Sequence, residues 1–225
     1  RIYTDVDGVY TADPRKIKNA RKLNTISYDE MLELATLGAQ VLHNRSVEMA
    51  KKYDIKLEVL SSLTRCPGTI VKEENKMEKM LISGVAKDDN VARISIIGVP
   101  DRPGLAFKIF SKLASNNVNV DIILQSIGRN GTKDISFTVE MNKEEEVLQM
   151  LSSYVETIGA TSIVSDENVS KVSIVGSGME SHPGVAAEMF EALYEKNINI
   201  QMISTSEIKI SVLINKSDGE SAVEA

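Results

Sequence analysis

An internal repeat is the feature that most limits how this chain can fold. Residues 93–126 read RISIIGVPDRPGLAFKIFSKLASNNVNVDIILQS, and residues 171–206 read KVSIVGSGMESHPGVAAEMFEALYEKNINIQMISTS. A sequence pattern that occurs twice predicts a supersecondary unit that occurs twice. Any fold for this chain must therefore contain two related units.

Each copy has the pattern of a strand, a turn, a helix and two further strands. A β-branched run ends at a glycine, passes through a polar loop to a Pro-Gly pair and continues with apolar residues at helical spacing. An Asn-x-Asn turn then precedes the later strands. We predict strands at 94–97, 120–124 and 135–139 in the first copy, and at 172–175, 200–203 and 208–214 in the second.

The first copy is complete. Asn142 and Glu145 have the spacing of a capping box that would open a second helix, and Ile163 and Val164 supply a fourth strand. The resulting order βαββαβ is that of the ferredoxin-like split βαβ unit. The fold class is therefore α/β (α+β), with two such modules in tandem.

The second copy stops early. Ser217 and Glu220 match another capping box, but the sequence ends at Ala225 before a fourth strand could follow. A strand-like run at 81–86 precedes the first copy. We predict that this run adds a strand to the sheet of the second copy.

The N-terminal part has a different character. RIYTDVDGVYTADPR carries Asp-Gly and Asp-Pro pairs, which are typical of tight loops. Ser27 and Glu30 match a third capping box, at the start of an amphipathic helix. We predict a second helix at 41–52, a strand at 55–60 and a polar linker at 61–79. This part reads as the end of a larger αβ domain.

Composition excludes several classes of protein. The formal net charge of −6, without a long basic run, argues against nucleic-acid or anionic-membrane binding. One cysteine and two histidines cannot form a disulfide framework or a Cys/His metal cluster, so we predict no metal site. With no long apolar run and no signal-peptide pattern, we expect a cytoplasmic protein without membrane contact.

Longer motifs indicate a family. TDVDGVYTADPR, ISYDEMLELATLGAQVLHNRSVEMA and SSLTRCPGTIV resemble the last third of the catalytic domain of aspartate kinases, within the amino-acid-kinase superfamily. GVPDRPG, NVNVDIILQS, SHPGV and NINIQMISTSEIKISVLI resemble the two ACT regulatory modules of that family. The resemblance covers essentially the whole chain. It implies an αβα kinase piece at 1–75, a strand for the second ACT module at 76–90, a first module at 91–167 and an incomplete second module at 168–225.

The resemblance implies that the first segment lines an ATP site. The residues it assigns to that site are Tyr3, Thr4, Asp5, Tyr10, Arg15 and Gln40. A tyrosine ring can stack on adenine, and a guanidinium can bind phosphate oxygens in pairs. Many relatives carry lysine where this chain has Gln40, so this position departs from the family pattern.

The resemblance also implies that the reaction machinery is elsewhere. The family's glycine-rich, lysine-containing motif is absent, as are the residues that hold aspartate, so we expect no catalytic residue in this chain and no activity from it alone. The whole enzyme would phosphorylate the side-chain carboxylate of L-aspartate with MgATP, at the entry to lysine, threonine and methionine synthesis. Arg1 is not an initiator methionine, which fits part of a longer protein.

The first repeat has groups that suit a free amino acid. The loop from Asp101 to Ala106 precedes a helix, whose first N–H groups favour a carboxylate, and Gly104 allows close approach of the backbone. Asp101 and Asp121 could accept from the ammonium group, and Gln125 could contact the effector side chain. The family implies further effector contacts, on Asn119 and Val120 in the first copy and on Val185, Ala186, Asn199, Ile200, Ser206 and Glu207 in the second.

Simpler roles remain open for these residues. Asn119 and Asn199 could only shape turns, and Asp101 could cap a helix. The copies differ, however, because Asp121 corresponds to Gln201 and Gln125 to Thr205. We therefore expect L-lysine, L-threonine or both to bind around the first copy, and a homodimer to form through the ACT modules. A non-catalytic regulatory subunit and a free-standing amino-acid sensor are the alternative functions.

Overall fold

A computed structural model of the protein describes residues 1–39, 41–64, 66–73, 81–126, 128 and 131–225. In these residues the helices are α1 (Tyr28–Thr36), α2 (Asn44–Lys52), α3 (Leu105–Ser115), α4 (Glu144–Ile158), α5 (Val185–Glu195) and α6 (Gly219–Glu224). The strands are β1 (Ile2–Thr4), β2 (Thr25–Ser27), β3 (Leu57–Ser61), β4 (Thr69–Lys72), β5 (Gly84–Asp88), β6 (Val91–Pro100), β7 (Ile123–Gln125), β8 (Thr132–Glu140), β9 (Ser162–Asp166), β10 (Val169–Val175), β11 (Ile200–Thr205) and β12 (Lys209–Asn215).

The chain divides into two compact units. One contains Arg1–Asp88 together with Lys171–Ala225, and the other contains Asp89–Ser170. The unit Arg1–Asp88 and Lys171–Ala225 thus contains the N-terminal part of the sequence and the second repeat. The unit Asp89–Ser170 contains the first repeat.

The N-terminal sheet of the first unit has the strand order β1-β3-β4-β2. β1 runs parallel to β3, β3 is antiparallel to β4, and β2 is parallel to β4. α1 opens with the predicted capping box: Ser27 Oγ accepts from the Glu30 amide, and the Glu30 carboxylate accepts from the Ser27 amide. Its apolar side, with Met31 and Leu34, is buried against this sheet and α2.

The second sheet of the same unit has the order β11-β12-β10-β5. The strand that the sequence predicts at 81–86 forms at Gly84–Asp88 and pairs antiparallel with β10. Val172, Leu193 and Val212 are among the buried residues that join this sheet to α5. Ala86 and Val175 belong instead to the core that contains α1, so the two sheets of this unit share apolar packing.

The unit Asp89–Ser170 has a sheet of order β7-β8-β6-β9. α3 and α4 cover it, with Ile109, Leu113, Val147 and Leu151 buried beside Phe137 of β8. β9 occupies the same place beside β6 that β5 occupies beside β10. The two repeats therefore share one topology, in which a strand from before the first repeat supplies the fourth strand of the second.

The turn between helix and second strand needs a left-handed residue in both copies. Asn117 and Asn197 have φ values of 55° and 56°. Asparagine tolerates this region better than most residues with a side chain. Asn119 and Asn199, which could have shaped the turns, lie beyond them and are exposed.

Two of the three predicted capping boxes are wrong. α4 follows a 3₁₀ turn at Met141–Lys143 and begins after Lys143 without a side-chain cap, although Asn142 and Glu145 have the right spacing. α6 likewise follows a 3₁₀ turn at Lys216–Asp218 and begins after Asp218. In both cases the extra turn moves the helix start by about one residue beyond the expected position, which removes the reciprocal geometry that the box requires.

The predicted linker at 61–79 contains a strand. Residues 69–72 form β4, which lies between β2 and β3, because its buried Thr69 and Val71 alternate with more exposed neighbours. The second strand of the first copy is also shorter than predicted. Residues 121 and 122 bond instead to Thr138, whose hydroxyl accepts from the Ile122 amide and interrupts the regular ladder.

In the residues that the structure describes, every helix is too short or too polar to cross a membrane.

Candidate nucleotide pocket and effector residues

The loop that follows β1 forms one wall of an open pocket. The pocket lies within the unit Arg1–Asp88 and Lys171–Ala225 and has a volume of about 420 Å³, within the range of small-molecule sites. Asp5, Tyr10 and Arg15 line it, so the structure brings together three of the six residues that the sequence assigns to ATP. Leu34, Gly38 and Ala39, from the end of α1 and the residues after it, line the pocket as well.

Hydrogen bonds to Thr69, on the N-terminal sheet, fix the loop that lines the pocket. Thr69 of β4 is fully buried, and its hydroxyl accepts a hydrogen bond from the Val9 amide at 2.8 Å and donates one to the Leu23 carbonyl at 2.6 Å. A Cβ atom at Gly8 would lie 2.6 Å from the same hydroxyl. Glycine is therefore required at this position, since the backbone passes directly over Thr69.

Asp7 orients the aromatic ring of the pocket. The Tyr10 hydroxyl donates to Asp7 Oδ1 at 2.9 Å, and Lys22 Nζ donates to Asp7 Oδ2 at 3.2 Å. Burial opposes ionisation of Asp7, but these two hydrogen bonds lower its pKa below the ordinary value. Burial and the same carboxylate raise the pKa of Tyr10, which keeps the phenol protonated as the donor.

The cations of the pocket are held by carboxylates of the protein. Arg15 donates through Nε and Nη2 to the two oxygens of Asp13, each at 3.0 Å. Glu220 Oε1 on α6 accepts from Lys16 Nζ at 3.0 Å and from Lys87 Nζ on β5 at 2.8 Å. These two bonds lower the pKa of Glu220. An anionic ligand in this pocket would meet three cations whose present partners are carboxylates.

Two of the predicted ATP residues lie away from the pocket wall. Tyr3 and Thr4 are on β1, where the Tyr3 side chain is exposed and Thr4 Oγ1 donates to Asp5 Oδ1 at 2.9 Å. Thr4 thus orients a residue of the pocket. Gln40 lies outside the described residues.

Sequence reasoning missed Lys16, Lys87 and Glu220. Lys16 follows Arg15 directly, so its charge and position were a usable signal. Lys87 and Glu220 lie far along the chain, and Glu220 was assigned to a capping box. Their place in the pocket depends on the pairing of β5 with β10 and on the position of α6.

The predicted effector residues of the first copy lie in the unit Asp89–Ser170. Gly104, with φ of 89°, immediately precedes α3, and Asp101 pairs with Lys133 at 3.0 Å instead of capping the helix. Asn119, Asp121 and Gln125 have exposed side chains at or before β7. The remaining two residues, Ala106 and Val120, pack against the core of this unit.

The predicted effector residues of the second copy lie in the other unit. Val185 and Ala186 begin α5, and Val185 is buried. Ile200 packs against the core, whereas Asn199, Ser206 and Glu207 are exposed. Gln201, the counterpart of Asp121, donates to Asn215 Oδ1 at 2.8 Å within its own sheet.

Three parts of the sequence match known protein families. Residues 1–61 match the amino acid kinase family, and residues 92–154 and 172–225 each match the ACT domain. Aspartate kinase Ask_LysC of Stutzerimonas stutzeri is 51% identical over 227 residues, which cover 100% of this chain and 55% of that protein. The chain thus spans about half the length of the curated relatives it matches.

Solved structures are similar as well. A chain from a crystal structure of aspartokinase alpha and beta subunits is 51% identical, with a TM-score of 0.60, and the match covers 63% of this chain and 93% of that one. E. coli aspartokinase III, solved in complex with aspartate and ADP (R-state), is 27% identical with a TM-score of 0.85, over 99% of this chain and 50% of that one. The same enzyme has been solved in complex with lysine and aspartate (T-state), with a TM-score of 0.79 and 28% identity over 99% of this chain and 49% of that one. From the repeat, the fold and these similarities together, we conclude that the chain belongs to the aspartate kinase family.

Proposed function

We propose that the full-length protein is an aspartate kinase, which transfers a phosphoryl group from ATP to the side-chain carboxylate of L-aspartate. The observation that carries this proposal is the pocket of about 420 Å³ in which Asp5, Tyr10 and Arg15 meet. The match of residues 1–61 to the amino acid kinase family and the ADP complex of E. coli aspartokinase III support it. In this proposal the division of the chain at 1–75, 76–90, 91–167 and 168–225 follows the boundaries read from the sequence.

The pocket residues have distinct roles in nucleotide binding. The ring of Tyr10, fixed through Asp7, stacks on the adenine, and Asp5 accepts hydrogen bonds from the nucleoside. Arg15 exchanges Asp13 for phosphate oxygens, because its planar fork fits either partner. The ATP would enter with magnesium, which commonly binds phosphate oxygens plus one or two carboxylates.

Nucleotide binding to the full-length protein tests this assignment. Arg15→Ala removes the phosphate contact, and we expect the Kd for ADP to rise about tenfold. Arg21→Ala is the matched control, because Arg21 is an exposed arginine of the same segment outside the pocket wall. Equal affinities for the two variants would contradict the assignment of the pocket to the nucleotide.

Phosphoryl transfer itself needs groups beyond this chain. The reaction depends on simultaneous positioning and charge neutralisation around the transferred group. In this proposal the chain supplies residues that bind the nucleotide. The full-length protein is expected to form ADP from ATP only when L-aspartate is present. Formation of ADP at the same rate without aspartate, or with no aspartyl phosphate trapped by hydroxylamine, would contradict the proposed reaction.

We further propose that L-lysine, L-threonine or both inhibit the enzyme by binding at the first repeat. The start of α3 offers backbone N–H groups to the carboxylate, and Asp121 and Gln125 of the same unit have exposed polar side chains. The lysine complex of E. coli aspartokinase III supports this role.

Calorimetry with each amino acid tests effector binding. We expect heat of binding and a higher melting temperature with lysine, threonine or both at millimolar concentration, since a ligand of the folded state stabilises it. L-Alanine is the control, since it carries the ammonium and carboxylate groups but lacks the longer side chain. The absence of heat and of stabilisation with both lysine and threonine would contradict the proposed regulation.

A regulatory subunit is the second candidate function. A subunit structure of an aspartokinase covers 63% of this chain at 51% identity, which favours a regulatory role for that part. Residues 1–61, which match the amino acid kinase family, favour the catalytic chain. A free-standing amino-acid sensor would have no use for the nucleotide pocket. Aspartate-dependent formation of ADP by the purified full-length protein separates these functions.

The sheet edges suit a homodimer, which we include in the proposal together with a cytoplasmic location. β7 and β11 are edge strands of their sheets, and Ile123, Leu124 and Ile203 on them are exposed. An exposed apolar edge strand is a template for pairing with another chain. Sedimentation of the full-length protein is expected to give twice the mass of one chain, and a lower mass for Leu124→Lys.

A further inference from the structure

One buried carboxylate holds the first turn of α1 to the sheet β11-β12-β10-β5. Glu30 is 5% exposed and sits at the third position of α1. Its Oε2 atom takes part in the capping box, accepting from the Ser27 amide at 3.1 Å and from the Ser27 hydroxyl at 2.8 Å. Its Oε1 atom accepts from the Ser83 hydroxyl at 2.6 Å and from the Ser177 amide at 2.9 Å.

The two donors to Oε1 lie at the ends of adjacent strands of this sheet. Ser83 directly precedes β5, and Ser177 follows the end of β10 by two residues. The Ser83 amide also donates to the Val175 carbonyl at 2.7 Å, so the strands are joined to each other where they meet Glu30. A capping box alone requires only one of the two carboxylate oxygens, and the other is available for this second contact.

The opposite end of α1 reaches the nucleotide pocket. Leu34 in the last turn of α1, and Gly38 and Ala39 just after it, are part of the pocket wall. The helix is therefore bound at its start to the sheet of the second repeat and contributes to the ligand site at its end. Rigid secondary elements of this kind are among those that carry coupling between sites in proteins.

We propose that Glu30 is a positioning residue that couples the sheet of the second repeat to the nucleotide pocket through α1. The proposal rests on the feedback inhibition proposed above and assigns one step of it, from the sheet of the second repeat to the pocket. β5 of that sheet also lines the pocket directly, through Lys87. Glu30 itself is not part of the pocket wall described above. Its Oε2 atom stabilises the start of the helix, and its Oε1 atom binds the sheet.

The two serine hydroxyls provide a matched pair of variants in the full-length protein. Ser83→Ala and Ser27→Ala each remove one hydroxyl donor to the same carboxylate, and both serines are buried. We expect Ser83→Ala to raise the effector concentration for half-inhibition at least about fivefold, the low end of usual allosteric coupling. Its kcat without effector is expected to stay within about twofold of the wild type, since no contact made only in the transition state is lost.

Ser27→Ala is expected to lower the melting temperature while leaving inhibition unchanged. Glu30→Gln keeps a carbonyl oxygen for Ser83 and Ser177 and places its amide nitrogen toward Ser27, so it is expected to resemble Ser27→Ala. Equal shifts of the inhibition curve in Ser83→Ala and Ser27→Ala, or no shift in Ser83→Ala, would overturn the proposal.

Hydrogen exchange separates this proposal from the proposed inhibition. Ser83→Ala is expected to speed amide exchange both in 28–36 and in 172–178, whereas Ser27→Ala speeds it only in 28–36. If neither lysine nor threonine inhibits the wild type, the proposed feedback inhibition fails, and this exchange pattern alone decides whether Glu30 joins the helix to the sheet. Faster exchange confined to 28–36 in both variants would overturn the coupling.

Discussion

Glu220 Oε1 lies 3.0 Å from Lys16 Nζ, so a carboxylate from helix α6 is paired with a cation of the loop that lines the candidate nucleotide pocket. The same oxygen accepts from Lys87. A phosphate group entering the pocket has to compete with this carboxylate. Glu220→Gln is therefore expected to lower the Kd for ADP by about two- to fivefold, because exposed ion pairs contribute about 1 kcal/mol or less.

Glu224→Gln is the control for this charge change. Glu224 is exposed and lies on the same short helix. Isothermal titration of the full-length protein with ADP measures both variants. A weaker affinity in Glu220→Gln, or an equal gain in both variants, would show that Glu220 does not compete with the nucleotide.

Removal of the Glu30 carboxylate is expected to be strongly destabilising. Glu30→Ala leaves the buried donors of Ser27, Ser83 and Ser177 without their acceptor. We expect the free energy of unfolding to fall by about 3 kcal/mol, because each unsatisfied buried donor costs about 1 to 3 kcal/mol. Urea denaturation followed by circular dichroism measures the change. The exposed Glu48→Ala on α2 is expected to alter stability by less than about 0.5 kcal/mol, and a similar loss in both variants would count against this reason.

The ionisation of Glu30 predicts how stability depends on pH. Burial alone would raise the pKa of Glu30, but hydrogen bonds from Ser83, Ser177 and Ser27 lower it below its ordinary value of 4.5. The folded state then binds fewer protons than the unfolded state. This contribution is fully present above pH 4.5 and is lost as the pH falls through the folded-state pKa.

A comparison with Glu30→Gln isolates this contribution from those of other carboxylates. The difference in melting temperature between the wild type and Glu30→Gln is expected to be constant near neutral pH and to shrink in acid. A difference that stays constant down to acid denaturation would mean that ionised Glu30 does not contribute.

Asp121→Ala is expected to weaken binding of the proposed effector without unfolding the protein. The side chain of Asp121 is exposed, and its backbone amide, which donates to Thr138 at 3.2 Å, is unchanged by the substitution. A lost hydrogen bond to an ammonium group corresponds to at least about a tenfold rise in Kd. Calorimetry and thermal unfolding of the same sample measure both quantities. Glu145→Ala, an exposed substitution on α4, is the control, and parallel losses of affinity and melting temperature in Asp121→Ala would argue against a direct contact.

Two glycines of the first repeat are expected to respond differently to alanine. Gly98 and Gly104 have φ values of 68° and 89°, but a Cβ atom at Gly98 would lie 2.2 Å from Thr161 Oγ1, whereas Gly104 has open space. Both substitutions carry the cost of a left-handed residue, and only Gly98→Ala adds a collision. We expect Gly98→Ala to reduce the free energy of unfolding by about 2 kcal/mol more than Gly104→Ala. Equal losses in urea denaturation would contradict the steric explanation.

Local and repeated patterns in the sequence predicted much of the fold. The two copies predicted one complete βαββαβ unit and a second that needed the strand at 81–86, because strand and helix periodicities are properties of neighbouring residues. The capping box of Ser27 and Glu30 was predicted correctly for the same reason, since its partners are three residues apart. The boxes at Asn142 and Ser217 failed because a 3₁₀ turn before each helix changes the geometry without changing the spacing.

The residues of the candidate nucleotide pocket likewise divide into those that the sequence predicted and those that only the fold brought together. Asp5, Tyr10 and Arg15 come from one continuous motif and could be found from the sequence alone. Lys87 and Glu220 are separated by 133 positions, and they meet because α6 packs against β5 in the folded chain. The sequence by itself determined the repeated units and the motif of the loop. The tertiary structure decided which distant charges surround that loop and which oxygen of Glu30 binds the sheet, because contacts between remote segments depend on how the strands are ordered.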